Sequence, residues 1–208
     1  VGHDWNHNNP LVREHVKRNL TYLIEEYKID GFRFDLTKGF TQNSGTEECY
    51  DQDRVNIIKE YNNHIRSVDP EAVMICEHFV DDENWELGKD GILVWRKMNE
   101  PYTKSARRNM ESADFYGATN RFNEDGTMAD WNHFGMLVSF QESHDEQRTA
   151  YLGQWEDNNG PEIPLAIRME RAKINAAFFL LAPGPKMIWQ FGEIGYDISG
   201  GNGDTSKK

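Results

Sequence analysis

Apolar residues follow two different spacings that alternate along this sequence. Longer segments place them three or four residues apart, as in an amphipathic helix, and short apolar runs separate these segments. The helical segments are 11–29, 54–68, 99–110 and 164–182. The short runs, which we interpret as strands, are 30–40, 72–79, 91–95, 134–146 and 185–192. This alternation predicts an α/β fold built from parallel βα units.

Local signals support the first helix and argue against a metal loop. Asn9 followed by Pro10 is typical of a helix start, with the asparagine as N-cap. The acidic segment 81–91 lacks the spacing of an EF-hand, so we predict a solvated loop there. The two cysteines, Cys49 and Cys76, form neither a disulfide framework nor a CxxC zinc motif. We therefore predict no metal site among these residues.

The net charge narrows the range of partners. The 208 residues include 35 acidic and 23 basic ones, which gives a formal net charge of -12. Nucleic acids and anionic membranes select basic patches, so we expect neither as a partner. The sequence also has no run of about 18 apolar residues, the length that a membrane span needs. The sequence does not identify the cellular compartment of the protein.

Charged side chains stand where several predicted strands end. Arg33 and Asp35 are two residues apart in the first strand, so their side chains point to the same side. Glu77 and His78 end the second strand, and residues 143–146 end the fourth. In folds of parallel βα units, active-site residues are found at the carboxyl ends of the strands. Because clustered carboxylates repel one another, we interpret this edge as a functional site rather than a stabilising one.

Two carboxylates on neighbouring strands suit the cleavage of glycosidic bonds. A retaining glycosidase holds a carboxylate nucleophile and a carboxylic acid roughly 5–5.5 Å apart, and neighbouring strands lie about 4.8 Å apart. We expect Arg33 to hold Asp35 in its ionised form. Apolar surroundings and the charge of Asp35 should raise the pKa of Glu77. An isolated Arg-x-Asp pair is more often structural, but with Glu77 nearby we predict a nucleophile and a proton donor.

The motifs, taken in order, resemble those of the α-amylase family of glycoside hydrolases. Segment 30–38 (DGFRFDLTK) is similar to the family's fourth-strand block, 74–79 (MICEHF) to the fifth and 140–146 (FQESHDE) to the seventh. Segment 183–197 is similar to the eighth-strand region, and 4–20 to the loop and helix that precede the fourth strand. Each block alone has low specificity. Together, however, the blocks occur in the same order as in the family, and the resemblance covers nearly the whole chain.

The resemblance implies a role for each matching residue. It implies that Asp35 is the nucleophile, Glu77 the acid/base and Asp145 the carboxylate that stabilises the transition state. Together with Asp145, His144 is expected to grip substrate hydroxyls.

Three further residues are candidates for substrate binding. Arg33 and Lys38 occupy substrate-contacting positions of the fourth-strand block. For Lys38, a surface charge is an equal alternative. His78 is either a second substrate contact or a packing residue. Calcium and chloride stay open as ions of the full-length enzyme.

The activity implied is hydrolysis of α-glucans such as starch, glycogen or maltooligosaccharides, by double displacement with retention. One alternative is a branching enzyme or transglycosylase. Another is a non-catalytic relative that binds glycans, although such a protein would usually have lost a catalytic carboxylate. All three, Asp35, Glu77 and Asp145, are present.

The family's catalytic domain is a (β/α)8 barrel, and the motifs match only about strands four to eight. We therefore expect residues 1–208 to form a partial TIM barrel, the C-terminal portion of a single (β/α)8 catalytic domain. Its partners would be the α-glucan and the N-terminal barrel half of the same protein. On their own, these residues are expected to have little activity, and their exposed strand edges should favour self-association.

Overall fold

The structure is a computed structural model. It describes residues 5–43, 49–95, 99–108, 113–115, 136–156, 160–182 and 184–199. The chain forms two compact units. The first unit is Val1–Arg96 with Gly135–Leu137, and the second is Lys97–Phe134 with Val138–Lys208.

The first unit alternates helices with parallel strands. Its helices are α1 (Pro10–Tyr27), α2 (Gln52–Val68) and α3 (Asp81–Lys89), and its strands are β1 (Gly31–Phe34), β2 (Val73–Glu77) and β3 (Leu93–Trp95). β2 pairs in parallel with both β1 and β3, and Glu77 lies beside Trp95. The Val94 amide of β3 donates to the Met136 carbonyl at 2.8 Å, and the short strand β4 (Leu137–Val138) begins directly after Met136. The predicted strand–helix alternation is therefore confirmed for the first unit.

Side-chain caps explain where the two long helices of this unit begin. The Asn9 side chain accepts from the Leu11 amide at 2.9 Å, and Pro10 occupies the first helical position, as predicted. Asp51 caps α2 by accepting from the amide of Asp53 at 2.9 Å. Each cap satisfies an amide that has no partner within its helix.

The core of the first unit is built on one face of α2. Its buried members are Leu20, Ile24, Phe40, Val55, Ile57, Ile58, Tyr61, Ile65, Ala72, Met74, Cys76, Leu87 and Ile92. β2 contributes Met74 and Cys76, which are both completely buried. Because side chains alternate along a strand, Glu77 projects to the side opposite Cys76. The packed core thus fixes the strand end that carries Glu77.

Most of segment 81–91, predicted as a solvated loop, forms α3 (Asp81–Lys89) instead. The amides of Glu83 and Asn84 donate to the Val80 carbonyl at 3.2 and 3.3 Å, which starts the helix. Glu83 and Leu87, four residues apart, are both completely buried. The loop prediction was wrong because the acidic composition of this segment concealed a helical spacing of buried positions.

In the described part of the second unit, most of the regular secondary structure is helical. Its helices are α4 (Asn99–Ala106), α5 (Thr149–Leu152) and α6 (Leu165–Leu181). Tyr102 of α4 packs edge-on against Phe179 of α6, and Asn175 Nδ2 donates to the Tyr102 carbonyl at 2.9 Å. Among the described residues, no helix has the length and apolar character needed to cross a membrane.

The run 185–192, predicted as a strand, forms a single parallel bridge between Ser139 and Lys186. The chain then leaves the extended conformation. Phe191 adopts a left-handed backbone conformation with φ of 65°, and a 3-10 turn follows at Gly192–Ile194. The apolar run therefore contributes less regular strand than its composition suggested.

Candidate active site

Arg33 links the two carboxylates that the sequence identified at neighbouring strand ends. Its Nη1 donates to Asp35 Oδ1 at 2.6 Å. Its Nη2 lies 2.9 Å from Glu77 Oε1, as an ion pair outside hydrogen-bond geometry. The Asp35 side chain is 75% exposed and that of Glu77 only 7%. One guanidinium thus contacts an exposed and a buried carboxylate at the ends of β1 and β2.

A tight turn after Asp35 brings a main-chain donor to Glu77. Leu36 adopts the left-handed conformation, with φ of 44° and ψ of 48°. For a residue other than glycine, such a conformation costs on the order of 1–3 kcal/mol. The Leu36 amide donates to Glu77 Oε2 at 3.1 Å, and the 3-10 turn Thr37–Gly39 follows. Arg33 and Leu36 therefore hold different oxygens of the Glu77 carboxyl group.

Burial raises the pKa of the Glu77 carboxyl above its ordinary value. The Leu36 amide and the positive charge of Arg33 act in the opposite direction. Hydrogen bonding with Asp35 and its negative charge raise the pKa further. A carboxyl with a raised pKa keeps its proton closer to neutral pH, which suits a general acid.

Trp95 supports the arginine from β3, which is separated from β1 by β2 in the sheet. The Arg33 guanidinium carbon lies 5.0 Å from the centre of the Trp95 ring, over its face. Trp95 is nearly buried at 9% exposure. A cation held over an aromatic face gains a cation–π attraction, which limits how far the guanidinium can move. Sequence analysis missed this contact, because a tryptophan at a strand end has no spacing that marks it as an arginine partner.

His78 lies in a buried hydrogen-bond network behind the two carboxylates. Its ring is completely buried. Nδ1 lies 2.9 Å from Thr37 Oγ1, and Nε2 lies 2.6 Å from Glu83 Oε2. Both ring nitrogens thus have partners within the protein. Whether His78 is a packing residue or also contacts substrate stays a prediction.

The Glu83 carboxylate accepts hydrogen bonds from several donors of this network. Its Oε2 also accepts from Arg54 Nε at 2.9 Å, and its Oε1 accepts from the Asp51 amide at 2.6 Å. Arg54 reaches further, with Nη1 donating to the carbonyl of Lys38 at 3.0 Å. Arg54 and Glu83 are both completely buried. This ion pair therefore fixes the turn after Asp35 against α2 and α3.

Sequence analysis missed Arg54, although a signal was present. Arg54 occupies the same helical stripe as Ile58, Tyr61 and Ile65, which are all completely buried. A charged residue on an apolar stripe must be buried with a partner of opposite charge. The stripe thus predicts a buried carboxylate, but it does not identify Glu83.

The Lys38 side chain is half-buried, and its main-chain carbonyl accepts from Arg54. A sugar contact by this side chain stays a prediction.

His144 and Asp145 lie in the second unit, side by side. His144 Nε2 is 3.3 Å from Asp145 Oδ2, and both side chains are exposed. The Asp145 amide donates to Ser143 Oγ at 3.2 Å, which orders the turn that carries the pair. This arrangement presents a carboxylate and an imidazole to solvent. The predicted cooperation of Asp145 with Asp35 and Glu77 stays a prediction.

A buried ion pair lies behind this exposed pair. Glu142 accepts from Arg148 Nη1 at 2.9 Å, and Arg148 Nη1 also donates to the Gln190 carbonyl at 2.6 Å. Both side chains are nearly completely buried. They tie the segment before His144 to the segment before the 3-10 turn at Gly192–Ile194.

No group of three or more His, Cys, Asp or Glu residues suited to a metal ion occurs within the described parts of the chain. The calcium and chloride alternatives concern the full-length protein and stay open.

Comparison with known proteins places this geometry in context. The chain is 25% identical to a glycogen operon protein GlgX homolog of Mycobacterium bovis, over 97% of this chain and 31% of that protein. It is 36% identical to alpha-amylase 3 of Dictyoglomus thermophilum, over 36% of this chain and 13% of that protein. The chain thus spans about a third or less of the length of these relatives.

Solved structures share the fold. An Anoxybacillus α-amylase superposes with a TM-score of 0.61 at 20% identity, covering 99% of this chain and 40% of that one. A pullulanase complexed with maltotetraose, from Anoxybacillus sp. LM18-11, superposes with a TM-score of 0.66 at 19% identity, covering 96% and 30%. The fold class is thus α/β, a partial (β/α)8 barrel, as predicted. The model of the α-amylase catalytic domain matches residues 2–205. The chain therefore belongs to the α-amylase family of glycoside hydrolases.

Proposed function

We propose that this chain carries the nucleophile and the acid/base of a retaining glycosidase that acts on α-glucans. The observation that carries the proposal is the Asp35–Arg33–Glu77 cluster, in which one guanidinium lies between an exposed and a buried carboxylate. A nucleophile and a proton donor need different surroundings, and these two carboxylates have them.

In the first step, Asp35 attacks the anomeric carbon of the sugar and the glycosidic C–O bond breaks. Glu77 gives its proton to the departing oxygen, so the leaving group departs as a neutral alcohol. Asp35 is then covalently bound to the sugar as an ester. In the second step, Glu77 as carboxylate takes a proton from water, and the water oxygen displaces Asp35. Both groups return to their starting states.

The surroundings of the two carboxylates support this assignment. Asp35 is exposed and hydrogen-bonded to Arg33, so the nucleophile is held in place and a substrate can reach it. Glu77 is buried, and its pKa is raised chiefly by that burial, which favours the protonated acid. Asp35 and Glu77 contact two nitrogens of the same guanidinium, which supports the short carboxylate separation of retaining enzymes.

We assign substrate binding to exposed groups near these strand ends and in the second unit. His144 and Asp145 present polar atoms that can bind sugar hydroxyls, and Asp145 would stabilise positive charge on the sugar in the transition state. Lys38 would supply a further hydroxyl contact. Arg33 contributes by holding the two carboxylates rather than by binding sugar.

The names of the similar proteins support α-glucans as the substrate class. They include α-amylases and a pullulanase complexed with maltotetraose. A branching or transglycosylase activity would use the same first step with a sugar hydroxyl in place of water. Products formed from amylose and pullulan by the full-length protein would separate hydrolysis from transfer and show which linkage is cleaved.

The test uses two variants of the full-length protein. We expect Asp35→Asn to lower kcat by several powers of ten, because an amide cannot form the glycosyl ester. We expect Glu77→Gln to be severe on maltooligosaccharides but milder on aryl α-glycosides, whose leaving groups need little protonation. Proton NMR of the first product should show a retained α-anomer. An Asp35→Asn variant with more than about a tenth of wild-type kcat, or an inverted product, would contradict the proposal.

A further inference from the structure

Glu83 has no role in the proposed chemistry, yet its carboxylate is saturated with donors. It accepts from His78 Nε2, from Arg54 Nε and Nη2, and from the Asp51 amide. These donors come from two segments of the first unit, the residue after β2 and the start of α2. A completely buried ion pair costs free energy to desolvate, so stability alone would favour replacing both Arg54 and Glu83 by apolar residues of similar volume.

The hydrogen bonds that start at Glu83 end on Glu77. From Glu83, His78 leads to Thr37, whose Oγ1 donates to the Glu77 carbonyl at 3.1 Å. Thr37 is also completely buried, so water does not compete for this hydroxyl. This first path holds the main chain of Glu77.

A second path holds the carboxyl group of Glu77. Glu83 binds Arg54, and Arg54 binds the Lys38 carbonyl in the turn after Asp35. In the same turn the Leu36 amide donates to Glu77 Oε2. Both paths therefore begin at one carboxylate and reach the proposed proton donor from different sides.

Building on the proposed function, we propose that Glu83, acting through His78 and Thr37, is a positioning residue that orients the acid/base Glu77. Glu83 touches no substrate in this scheme. It fixes the end of β2 and the turn after Asp35. The Glu77 carboxyl group is held between these two segments.

The charge of Glu83 is essential to this arrangement. Burial opposes its ionisation, but hydrogen bonds from His78, Arg54 and the Asp51 amide outweigh burial, so the pKa of Glu83 lies below its ordinary value. A glutamine at this position keeps the shape but removes the charge. Its amide group would also turn two N–H bonds toward donors of the network. The substitution Glu83→Gln therefore perturbs the network with little change in volume.

The experiment compares variants of the full-length protein on two substrates. Substrate one is a maltooligosaccharide, whose leaving group needs a proton, and substrate two is an aryl α-maltooligosaccharide with a nitrophenolate leaving group. For Glu83→Gln we expect kcat on the maltooligosaccharide to fall about 10- to 100-fold, the usual range for lost positioning. On the aryl substrate we expect a loss several-fold smaller, and KM should change little on either.

A second pair of variants keeps the proposal testable if Glu83→Gln does not fold. Thr37→Val removes only the hydroxyl that joins His78 to Glu77, and Thr37→Ser keeps a hydroxyl there. Thr37→Val should show the same leaving-group dependence, and Thr37→Ser should restore most of the lost kcat. Glu86→Gln is the matched control, because Glu86 lies on α3 as well but pairs only with Lys59 and Lys89 among the described contacts. It should behave like the wild type.

The outcomes separate this proposal from the proposed function. If Glu77→Gln shows no leaving-group dependence, the acid/base assignment fails and the positioning role fails with it. If Glu77→Gln shows it but Glu83→Gln and Thr37→Val do not, only the positioning role is wrong. Equal losses on both substrates in Glu83→Gln and Thr37→Val, with lowered thermal stability, would show that the network serves folding alone.

Discussion

Replacing Arg33 by glutamine tests the electrostatic balance of the candidate active site directly. Arg33 is the cation that contacts both Asp35 and Glu77. Its positive charge favours the ionised form of Glu77 and so lowers the pKa of that carboxyl. Removing the charge leaves burial and Asp35, which both raise the pKa. In the Arg33→Gln variant, Glu77 should therefore keep its proton to higher pH than in the wild type.

The size of the change follows from the contact distance. An N–O separation of 2.9 Å places the two charge centres about 4 Å apart. At that separation the attraction is about 1 kcal/mol in water and about 4 kcal/mol at an effective dielectric constant of 20. Losing this attraction disfavours the ionised form of Glu77, so the pKa of its carboxyl should rise. Because Glu77 is buried, we expect the lost attraction to lie nearer the higher of these two energies.

The assay is the pH dependence of kcat/KM of the full-length protein on a maltooligosaccharide. The alkaline limb reports loss of the proton from the general acid, so it should move to higher pH in Arg33→Gln. The maximal rate should fall as well, because Asp35 loses its hydrogen-bonded partner. The matched variant is Arg33→Lys, which keeps the charge but cannot contact two carboxylates through one planar group. Its alkaline limb should stay near that of the wild type while its rate falls.

An alkaline limb that stays in place or moves to lower pH in Arg33→Gln would refute this reasoning. Either result would mean that Arg33 does not govern the proton of Glu77, or that Glu77 is not the acid whose titration limits the rate. Thermal denaturation of both variants should accompany the assay, so that a loss of folded protein is not mistaken for a loss of rate.

Two further predictions concern the stability of the first unit, each measured by urea denaturation of the full-length protein. Ile58→Ala should cost about 2–5 kcal/mol, because Ile58 is completely buried in the core, whereas Leu11→Ala at 78% exposure should cost less than about 0.5 kcal/mol; similar losses would contradict the described packing. Asn9→Ala should cost about 1 kcal/mol by removing the acceptor of the Leu11 amide, and Asn9→Ser should keep most of the stability, since serine caps equally well. An equal loss in both variants at position 9 would argue against capping.

Much of the fold of the first unit follows from local sequence patterns. The apolar spacing predicted α1 and α2, and the pair Asn9-Pro10 located the start of α1. These signals act over a few residues, so a sequence contains them in full. The loop prediction for residues 81–91 failed because the local pattern there was misleading. The acidic residues in 81–91 are typical of solvated segments, but one of them, Glu83, is paired with a distant arginine.

The candidate site, like the fold, has a part that local sequence patterns predict and a part that they do not. The proximity of Arg33 and Asp35 follows from strand geometry, and that of Glu77 follows from the parallel pairing of β1 and β2, so both could be predicted. The partnership of Arg54 with Glu83 joins residues 29 positions apart on two helices, and no local spacing relates them.

Such a partnership is set by how helices pack on the sheet, which a single sequence does not contain. What a sequence does contain is the requirement that a charged residue on an apolar stripe must find a partner. Arg54 met that criterion in the sequence, but the stripe does not identify Glu83 as its carboxylate. The groups that touch substrate are thus the part of an active site most open to prediction. The residues that hold those groups in place are found only when the fold brings distant segments together.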